Sequence, residues 1–394
     1  LDEHSHEPAF LVLHFMDTHL PYTEPESWRD RFAGPRPSRF DQDEFHRNDV
    51  VSGAPLTADE QAYVRARYDN NLAWVDHQVA RVLEVLGDND VVVLVSDHGE
   101  EFWDHGEFEH GHSLYDELIR VPLVVRAPGL PPGRTDVPVS LVDLAPTLLH
   151  AAGLPADGLA GVDLATVLQA PQPDRALGFG RPLYGDRRWG AVQGSLKYST
   201  HRGQERVWDL TTDPLERRPD RSLAQIEDGR GVLSTALGRP VAVGFRVRPS
   251  RGRASDGLSL IATVPGGFSL GLAGDDPTLQ SAATVELQGD EARLTWLPGY
   301  RGTREVFLVP RESVAIAAGG LVVRSAADPT EVLRATAPPP PLDGKGRVLA
   351  SGKIAGRSVK VTHAVVPIPS AEEAGTSGYD PEVEAELKAL GYIH

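Results

Sequence analysis

Residues 91–101 read Val91-Val92-Val93-Leu94-Val95-Ser96-Asp97-His98-Gly99-Glu100-Glu101. The first five residues are valine and leucine, which predict a strand buried on both faces. Asp97 and His98 follow this strand, and Gly99 lets the backbone turn sharply after them. Ligands collect at the carboxyl ends of strands in open α/β sheets, so Asp97 and His98 are candidate ligands of a divalent metal. Taken alone, Asp97 is equally well explained as the cap of a turn, and His98 as a polar loop residue.

Elements of the same kind surround this strand. Ala9 to Phe15 and Val121 to Val125 are two further short apolar runs, each of a length that suits a buried strand. A capping box that begins at Thr57 predicts the start of an amphipathic helix, which Gly87 ends. Strands that alternate with helices predict an α/β fold with a mainly parallel, helix-covered sheet.

Beyond about residue 165, short segments in which apolar and polar residues alternate replace the pattern of helices and buried strands. We predict four parts, which are an α/β core, a small antiparallel subdomain, a β-rich module, and a helix with a tail that packs on the core. Their predicted bounds are 1–165, 166–235, 236–370 and 371–394.

Composition limits the possible partners. At 394 residues the chain is long enough for more than one core. A formal net charge of −17 disfavours nucleic acid and anionic membranes as partners. The chain has no cysteine, which excludes disulfides and thiolate metal sites, and no apolar stretch approaches the roughly 18 residues of a membrane-spanning helix. The oligomeric state is left open.

Histidines are concentrated after the Val91 to Val95 strand. His105, His110 and His112 lie in the loop that follows it, and His19 lies just after the first apolar run. An imidazole near neutral pH can bind a metal, stabilise an anionic oxygen or protonate a leaving group. Any one of these side chains could simply be solvated, but their density predicts a functional loop.

Several segments resemble motifs of the sulfatases in the alkaline phosphatase superfamily. Met16 to Tyr22 is similar to the Asp-Pro-His-x-Pro-Tyr segment of that family, with Thr18 where proline is usual. Ser96 to Glu101 and His110 to Glu117 resemble its second metal-binding block. Four further segments resemble later motifs of the family, namely Asp143 to Leu149, Gly161 to Leu164, Trp208 to Glu216 and Leu387 to Ile393. The resemblance implies an alkaline-phosphatase-like sheet that is incomplete at its amino terminus.

The resemblance also implies roles for individual residues. Asp97 and His98 would supply half of a site for one divalent cation, with calcium as the first choice and manganese, zinc or magnesium as alternatives. His19 would hold an oxygen of the transferred group. His110, or His112 if the alignment shifts, would assist the leaving group, and His105 would contact substrate or support the site.

The nucleophile of the family is not found between Leu1 and His394. Sulfatases use a formylglycine made from the first residue of a Cys-x-Pro-x-Arg or Ser-x-Pro-x-Arg motif, and this sequence contains neither. Because the chain begins at Leu1 with no signal peptide, we expect a fragment, or one piece of a processed protein, that is inactive alone. Its compartment, whether periplasmic, extracellular or membrane-anchored, would be set by the missing amino terminus.

The expected activity of the intact protein is metal-dependent hydrolysis of a sulfuric ester on a small molecule or glycan. A phosphodiesterase, a phosphonate monoester hydrolase or a phosphoglycerol transferase of the same superfamily is the alternative among enzymes. A degenerate hydrolase that binds a glycan or envelope polymer is the alternative outside enzymes.

Overall fold

The computed structural model describes residues 9–40, 46–128, 130, 132–171, 173–180, 188–201, 204–238, 241–250, 257–266, 268–273, 283–296, 305–310, 321–328, 330–335 and 348–367. The predicted terminal helix and tail, 371–394, lie outside these residues. The chain forms two compact units, one from residues 1–110 and 120–132 and the other from residues 111–119 and 133–394. The four predicted domain boundaries remain predictions. Within the described ranges, no helix is long and apolar enough to cross a bilayer.

The first unit is organised around a long helix. The helices α1 and α2 span Arg47–Val51 and Ala58–Leu83. The predicted capping box is present, because the Thr57 hydroxyl accepts a hydrogen bond from the amide of Glu60 and the Glu60 carboxylate accepts one from the amide of Thr57 at 2.7 Å. Tyr63 and Val64 on one face of this helix belong to a small apolar core. The other buried members of that core are Tyr22, Ala33, Phe40, Val50 and Phe108.

The predicted parallel sheet is not confirmed. The strands of this unit are β1 (Val92–Val95), the two-residue strands β2 (Glu101–Phe102) and β3 (Phe108–Glu109), and β4 (Leu123–Arg126). β2 pairs with β3, and β1 pairs with β4 in antiparallel register, with Val92 opposite Arg126. Residues 9–15 form no strand, and Phe10 is 79% exposed. Apolar content predicts where a strand can form, but it does not encode the direction of the partner strand.

The second unit begins with short helices and a small antiparallel sheet. Its helices α3, α4 and α5 span Asp116–Ile119, Leu144–Ala151 and Leu164–Gln169. The sheet has the strands β5 (Leu177–Gly180), β6 (Arg188–Gln193), β7 (Leu196–His201) and β8 (Gln204–Asp209), hydrogen-bonded in that order. Helix α6 (Leu223–Leu237) packs on the sheet so closely that a Cβ at Gly229 would lie 2.5 Å from the Tyr198 ring. This is the small antiparallel sheet that the alternating runs predict.

The rest of the second unit is a β-sandwich. Its strands are β9 (Val241–Pro249), β10 (Leu258–Thr263), β11 (Phe268–Ala273), β12 (Ala283–Gln288), β13 (Glu291–Trp296), β14 (Val306–Pro310), β15 (Leu321–Ser325), β16 (Val332–Ala335), β17 (Val348–Ile354) and β18 (Arg357–Pro367). They form two five-stranded sheets in the orders β12-β13-β10-β15-β16 and β11-β14-β9-β18-β17. Every described strand pair is antiparallel, and alternate residues such as Phe245, Leu260 and Trp296 fill one apolar core.

Asp143 is a buried structural residue of the second unit. Its fully buried carboxylate accepts two hydrogen bonds from the Arg175 guanidinium, at 2.8 and 2.7 Å, and one each from the amides of Ser140 and Val162 at 2.8 Å. Burial raises the pKa of this carboxyl, but the four donors outweigh it, so the pKa of Asp143 lies below its usual range. The motif that begins at Asp143 therefore has a structural role in the second unit.

The segment near Glu216, which resembles another motif of the family, contacts a second buried charge. The ammonium of Lys197, almost completely buried, lies 2.7 Å from a carboxylate oxygen of Asp116 and 2.7 Å from one of Glu216. The indole N–H of Trp208 donates to the carbonyl oxygen of Glu216 at 2.9 Å. These contacts tie α3 to the small antiparallel sheet within the second unit.

Candidate functional site

Three histidine side chains form one cluster in the first unit. The rings of His98 and His110 are stacked with their centroids 4.0 Å apart, and the ring of His19 meets His110 edge-on at 5.2 Å. They come from three places in the chain, namely the turn after residue 15, the end of β1 and the end of the β2–β3 hairpin. The structure thus brings together three of the residues that the sequence singles out.

Local hydrogen bonds orient two of these rings. His19 Nδ1 lies 2.6 Å from the carbonyl oxygen of Leu20, and His98 Nδ1 lies 2.9 Å from that of Gly99. A carbonyl oxygen only accepts hydrogen bonds, so each Nδ1 must carry the hydrogen. In the neutral form of both rings, Nε2 therefore holds the lone pair and can bind a metal or another acid.

Asp97 and His98 have the geometry of two ligands of one ion. His98 Nε2 lies 3.7 Å from Asp97 Oδ2. Two ligand atoms that bind the same cation at roughly 2.0 to 2.4 Å are separated by about 3 to 4 Å, so the pair fits a shared cation. Among the described residues, this cluster included, no group of three or more His, Cys, Asp or Glu side chains is placed to hold a metal, so Asp97 and His98 would need further ligands.

Glu100 orients His110. Its carboxylate lies 2.9 Å from His110 Nδ1, and both side chains are largely buried. The Tyr22 hydroxyl donates to the other oxygen of the same carboxylate at 3.5 Å. Burial lowers the pKa of His110, but the hydrogen bond to Glu100 and the charges of Glu100, Glu109 and Asp97 outweigh it, so the pKa is raised. His110 is therefore held with Nδ1 engaged and with its protonated form favoured.

The role of Glu100 cannot be read from the sequence motifs alone. The available signal is its position, since it is a carboxylate two residues after His98 and next to a histidine-rich loop. The partner of that carboxylate is ten residues away in sequence and depends on the hairpin, which residue spacing does not reveal.

His105 lies in the turn of the β2–β3 hairpin. The fully buried Glu101 carboxylate accepts hydrogen bonds from the amides of His105 at 3.0 Å and Glu107 at 2.9 Å. Trp103 and Gly106 have positive φ angles of 63° and 91°, which close this tight turn. The contact described for His105 thus fixes the hairpin backbone, and its contact with a substrate stays a prediction.

His112 belongs to residues 111–119, which pack with the second unit. Its side chain is half-buried. In the same segment, the Tyr115 hydroxyl accepts a hydrogen bond from Arg206 at 2.7 Å. The role of His112 as an alternative to His110 stays a prediction.

The first part of the chain is similar to known sulfatases. The sulfatase family model matches residues 1–154. The chain is 28% identical over 160 residues to the uncharacterized sulfatase YidJ of Escherichia coli (strain K12), covering 38% of this chain and 32% of that protein. It is 27% identical over 238 residues to an arylsulfatase of Clostridium perfringens (strain 13 / Type A), covering 53% of this chain and 48% of that protein.

A putative sulfatase from Bacteroides thetaiotaomicron has a solved structure that matches with a TM-score of 0.41 and 25% identity, covering 49% of this chain and 46% of that one. The chain spans less than half the length of the two curated relatives described above, 32% and 48%. The family match covers the segment that carries the histidine cluster. Residues 1–154 of this chain match the sulfatase family model, and its curated relatives include sulfatases and an arylsulfatase.

Proposed function

We propose that the protein hydrolyses sulfate esters at the histidine cluster of the first unit. The observation that carries the proposal is that His19, His98 and His110 meet in one site, within the residues that match the sulfatase family. The substrate class we propose is a sulfated small molecule or a sulfated glycan.

His110 is the residue we assign to the leaving group. Glu100 holds its Nδ1, so Nε2 is the atom that can give a proton to the departing oxygen. His19 would hold a non-bridging oxygen of the sulfate through its own Nε2, in the protonated form, because its Nδ1 already donates to Leu20. Two imidazoles on one sulfate group would offset the negative charge that builds up on the oxygens.

Asp97 and His98 are the residues we assign to a divalent cation. Their 3.7 Å separation and the Nδ1 bond of His98 support the assignment, since the free Nε2 lone pair faces a carboxylate oxygen. The cation would draw electron density from the sulfate group as a Lewis acid. Calcium is our first choice, with manganese, zinc and magnesium as alternatives, and two side chains require further ligands from elsewhere.

We place the nucleophile outside these 394 residues, because they contain no cysteine and no Ser-x-Pro-x-Arg motif. A formylglycine in another segment would complete the site. This part of the proposal predicts that the purified 394-residue chain does not turn over an aryl sulfate, with or without added calcium.

The test uses protein expressed from the complete reading frame that contains these residues. Turnover of 4-nitrophenyl sulfate is compared with turnover of bis(4-nitrophenyl) phosphate, in the parent and in Asp97→Ala. We expect sulfate turnover that exceeds phosphodiester turnover and that is lost in the variant. Preference for the phosphodiester would instead support a phosphodiesterase of the same superfamily, and turnover unchanged by Asp97→Ala would remove Asp97 from the site.

A further inference from the structure

The charge of the β-sandwich is unevenly distributed. Residues 239–255 and 344–371 contain ten lysines and arginines and no aspartate or glutamate, in a chain whose net charge is −17. These two stretches include β9, β17 and β18, which are hydrogen-bonded neighbours in the order β9-β18-β17. The strands of the other sheet carry charges of both signs, and Glu291 there pairs with Arg324 at 2.5 Å. Half of one sheet is therefore basic.

The basic side chains of these strands project from the outer face of the sandwich. Val247, Ile354 and Val361 belong to the apolar core, so the residues that alternate with them along each strand point outward. The outward set comprises Arg246 and Arg248 on β9, Ser351 and Lys353 on β17, and Ser358, Lys360 and Thr362 on β18. Among the cations, Arg248, Lys353 and Lys360 are exposed.

Two of these cations face each other across the sheet. In the antiparallel register, Lys360 lies directly opposite Arg248. Lys353 is paired with Ser358, which is two residues from Lys360 on the same face, so Lys353 is a diagonal neighbour of Lys360. Like charges directly opposite each other destabilise a sheet. Folding therefore does not account for this arrangement, whereas a bound anion would offset the repulsion.

Glu305 balances only part of this charge. Its carboxylate lies 3.3 Å from the guanidinium of Arg246 and 3.3 Å from that of Arg248. One carboxylate is thus shared by two arginines, and the Arg248 side chain is still 48% exposed. Lys353 and Lys360 form no ion pair with any other residue that the structure describes. The face keeps a net positive charge after Glu305 is counted.

The open part of the face extends over three strands. On the β14 side, Phe307 lies opposite Arg246 but is fully buried, so that side is covered. At the β17–β18 turn, the Glu331 carboxylate is engaged by the amide of Ala355 at 2.5 Å. The accessible surface is therefore the outer side of β9, β18 and β17, which is roughly 10 Å across because neighbouring strands lie about 4.8 Å apart.

This surface fits a polymer better than a small anion. Each exposed ionic contact contributes little, so a small anion that meets one or two separated cations binds weakly. A polymer with repeated anionic groups contacts several cations at once, and the later contacts form within one molecule at a high effective concentration.

The neutral side chains of the face narrow the class of polymer. Ser351, Ser358 and Thr362 are interleaved with the cations, and each offers a hydroxyl donor to an anionic oxygen. The outward set defined above includes no aromatic side chain on which a nucleic acid base could stack. An anionic glycan matches this combination of cations and hydroxyls.

We propose that the outer face of β9, β18 and β17 is a binding surface for a sulfated glycan, additional to the histidine cluster. The choice of sulfate rests on the proposed function, whereas binding of an anionic polymer rests on the charges of the face alone. Binding is measured without turnover, so a failure of this surface and a failure of the hydrolysis proposal give different results.

Biolayer interferometry of the 394-residue chain on immobilised chondroitin sulfate tests the proposal. Chemically desulfated chondroitin keeps the same backbone and carboxylates, and duplex DNA represents the other class of polyanion. We expect binding to chondroitin sulfate and at least about tenfold weaker binding to both comparison polymers. Binding should weaken as sodium chloride is raised from about 0.05 to about 0.3 M.

Variants of Lys360 locate the binding surface. Lys360→Gln should weaken binding by about fivefold, and Lys360→Glu by at least about tenfold. Lys360→Glu should also raise the thermal midpoint, because it replaces a like-charge pair with Arg248 by a pair of opposite charges. Weaker binding by a more stable protein separates the loss of a contact from misfolding.

Arg293→Gln is the matched control, because it removes one positive charge from the opposite side of the sandwich. Arg293 is exposed on β13, between Ala292 and Leu294 of the core. Its substitution should change binding by less than about twofold. The proposal is overturned if chondroitin sulfate does not bind, if desulfated chondroitin or DNA binds as tightly, or if Lys360→Glu binds like the parent. Equal effects of Lys360→Gln and Arg293→Gln would also overturn it.

Discussion

Asp143→Asn should destabilise the second unit because it breaks a buried ion pair. The carboxylate is fully buried and has four donors, while the Arg175 side chain is 16% exposed. The asparagine amide would point N–H groups at donors and would leave the guanidinium without its counter-charge. Breaking such a pair costs about 3 to 5 kcal/mol, and we take about 3 because Arg175 keeps some contact with water. This corresponds to a change of about 150-fold in the unfolding equilibrium constant.

Urea unfolding followed by circular dichroism measures this effect at pH 7. The matched control is Asp136→Asn, because Asp136 also faces an arginine, Arg134, but both side chains are exposed (95% and 89%) and lie 3.9 Å apart. The control should show no measurable change. Equal shifts for Asp143→Asn and Asp136→Asn would refute the reasoning, because burial would then have no influence on the value of the pair.

The same pair predicts a pH dependence. The pKa of Asp143 is lower in the folded protein than in the unfolded chain, so its contribution is fully present above the unfolded value of about 3.9. It is lost as the pH falls through the folded pKa. The stability advantage of the parent over Asp143→Asn should therefore be constant from pH 6 to 7 and shrink below about pH 4. An advantage that is unchanged at pH 3 would contradict the assignment.

Two further substitutions test the packing of each unit. Glu24→Gln leaves the Arg67 guanidinium, which is 1% exposed, without its counter-charge, so urea unfolding of the first unit should show a loss of about 3 kcal/mol or more, and an unchanged midpoint would contradict this. Gly161→Ala should destabilise the second unit more than Gly153→Ala, because both glycines have positive φ but only a Cβ at Gly161 would strike backbone, at 2.3 Å. We expect a loss of about 1 kcal/mol for Gly153→Ala and at least about twice that for Gly161→Ala, and equal thermal midpoints for the two variants would show that the close approach is not important.

Local signals predicted several features correctly. The capping box at Thr57 depends on residues three positions apart, so the start of α2 could be located from the sequence. His19, His98 and His110 could be nominated because each follows an apolar run or lies in the same loop. Their meeting in one cluster needs the backbone to bring residues 19 and 110 together, and the resemblance to a known family supplied that expectation.

Features that depend on distant partners could not be predicted in this way. The antiparallel pairing of β1 with β4 depends on how the chain returns after the hairpin, and the apolar runs are compatible with either direction. The local sequence does not show whether the carboxylate of Glu100 faces solvent or a partner. Glu24 pairs with Arg67, which is 43 residues away in the chain. Ionic pairs of this kind leave no periodic signal in the sequence, because each partner is an ordinary surface residue type.

The most direct test of the account is the effect of His110→Gln on sulfate ester hydrolysis by protein from the complete reading frame. General acid assistance is worth about 10² to 10⁴ in rate, so kcat for an alkyl sulfate with a poor leaving group should fall at least about 100-fold. The loss should be much smaller for 4-nitrophenyl sulfate, whose leaving group needs little protonation, and Arg81→Gln should leave both rates unchanged. Equal rates for the parent and His110→Gln on the alkyl sulfate, in a variant shown to be folded, would contradict the placement of the reaction at the histidine cluster.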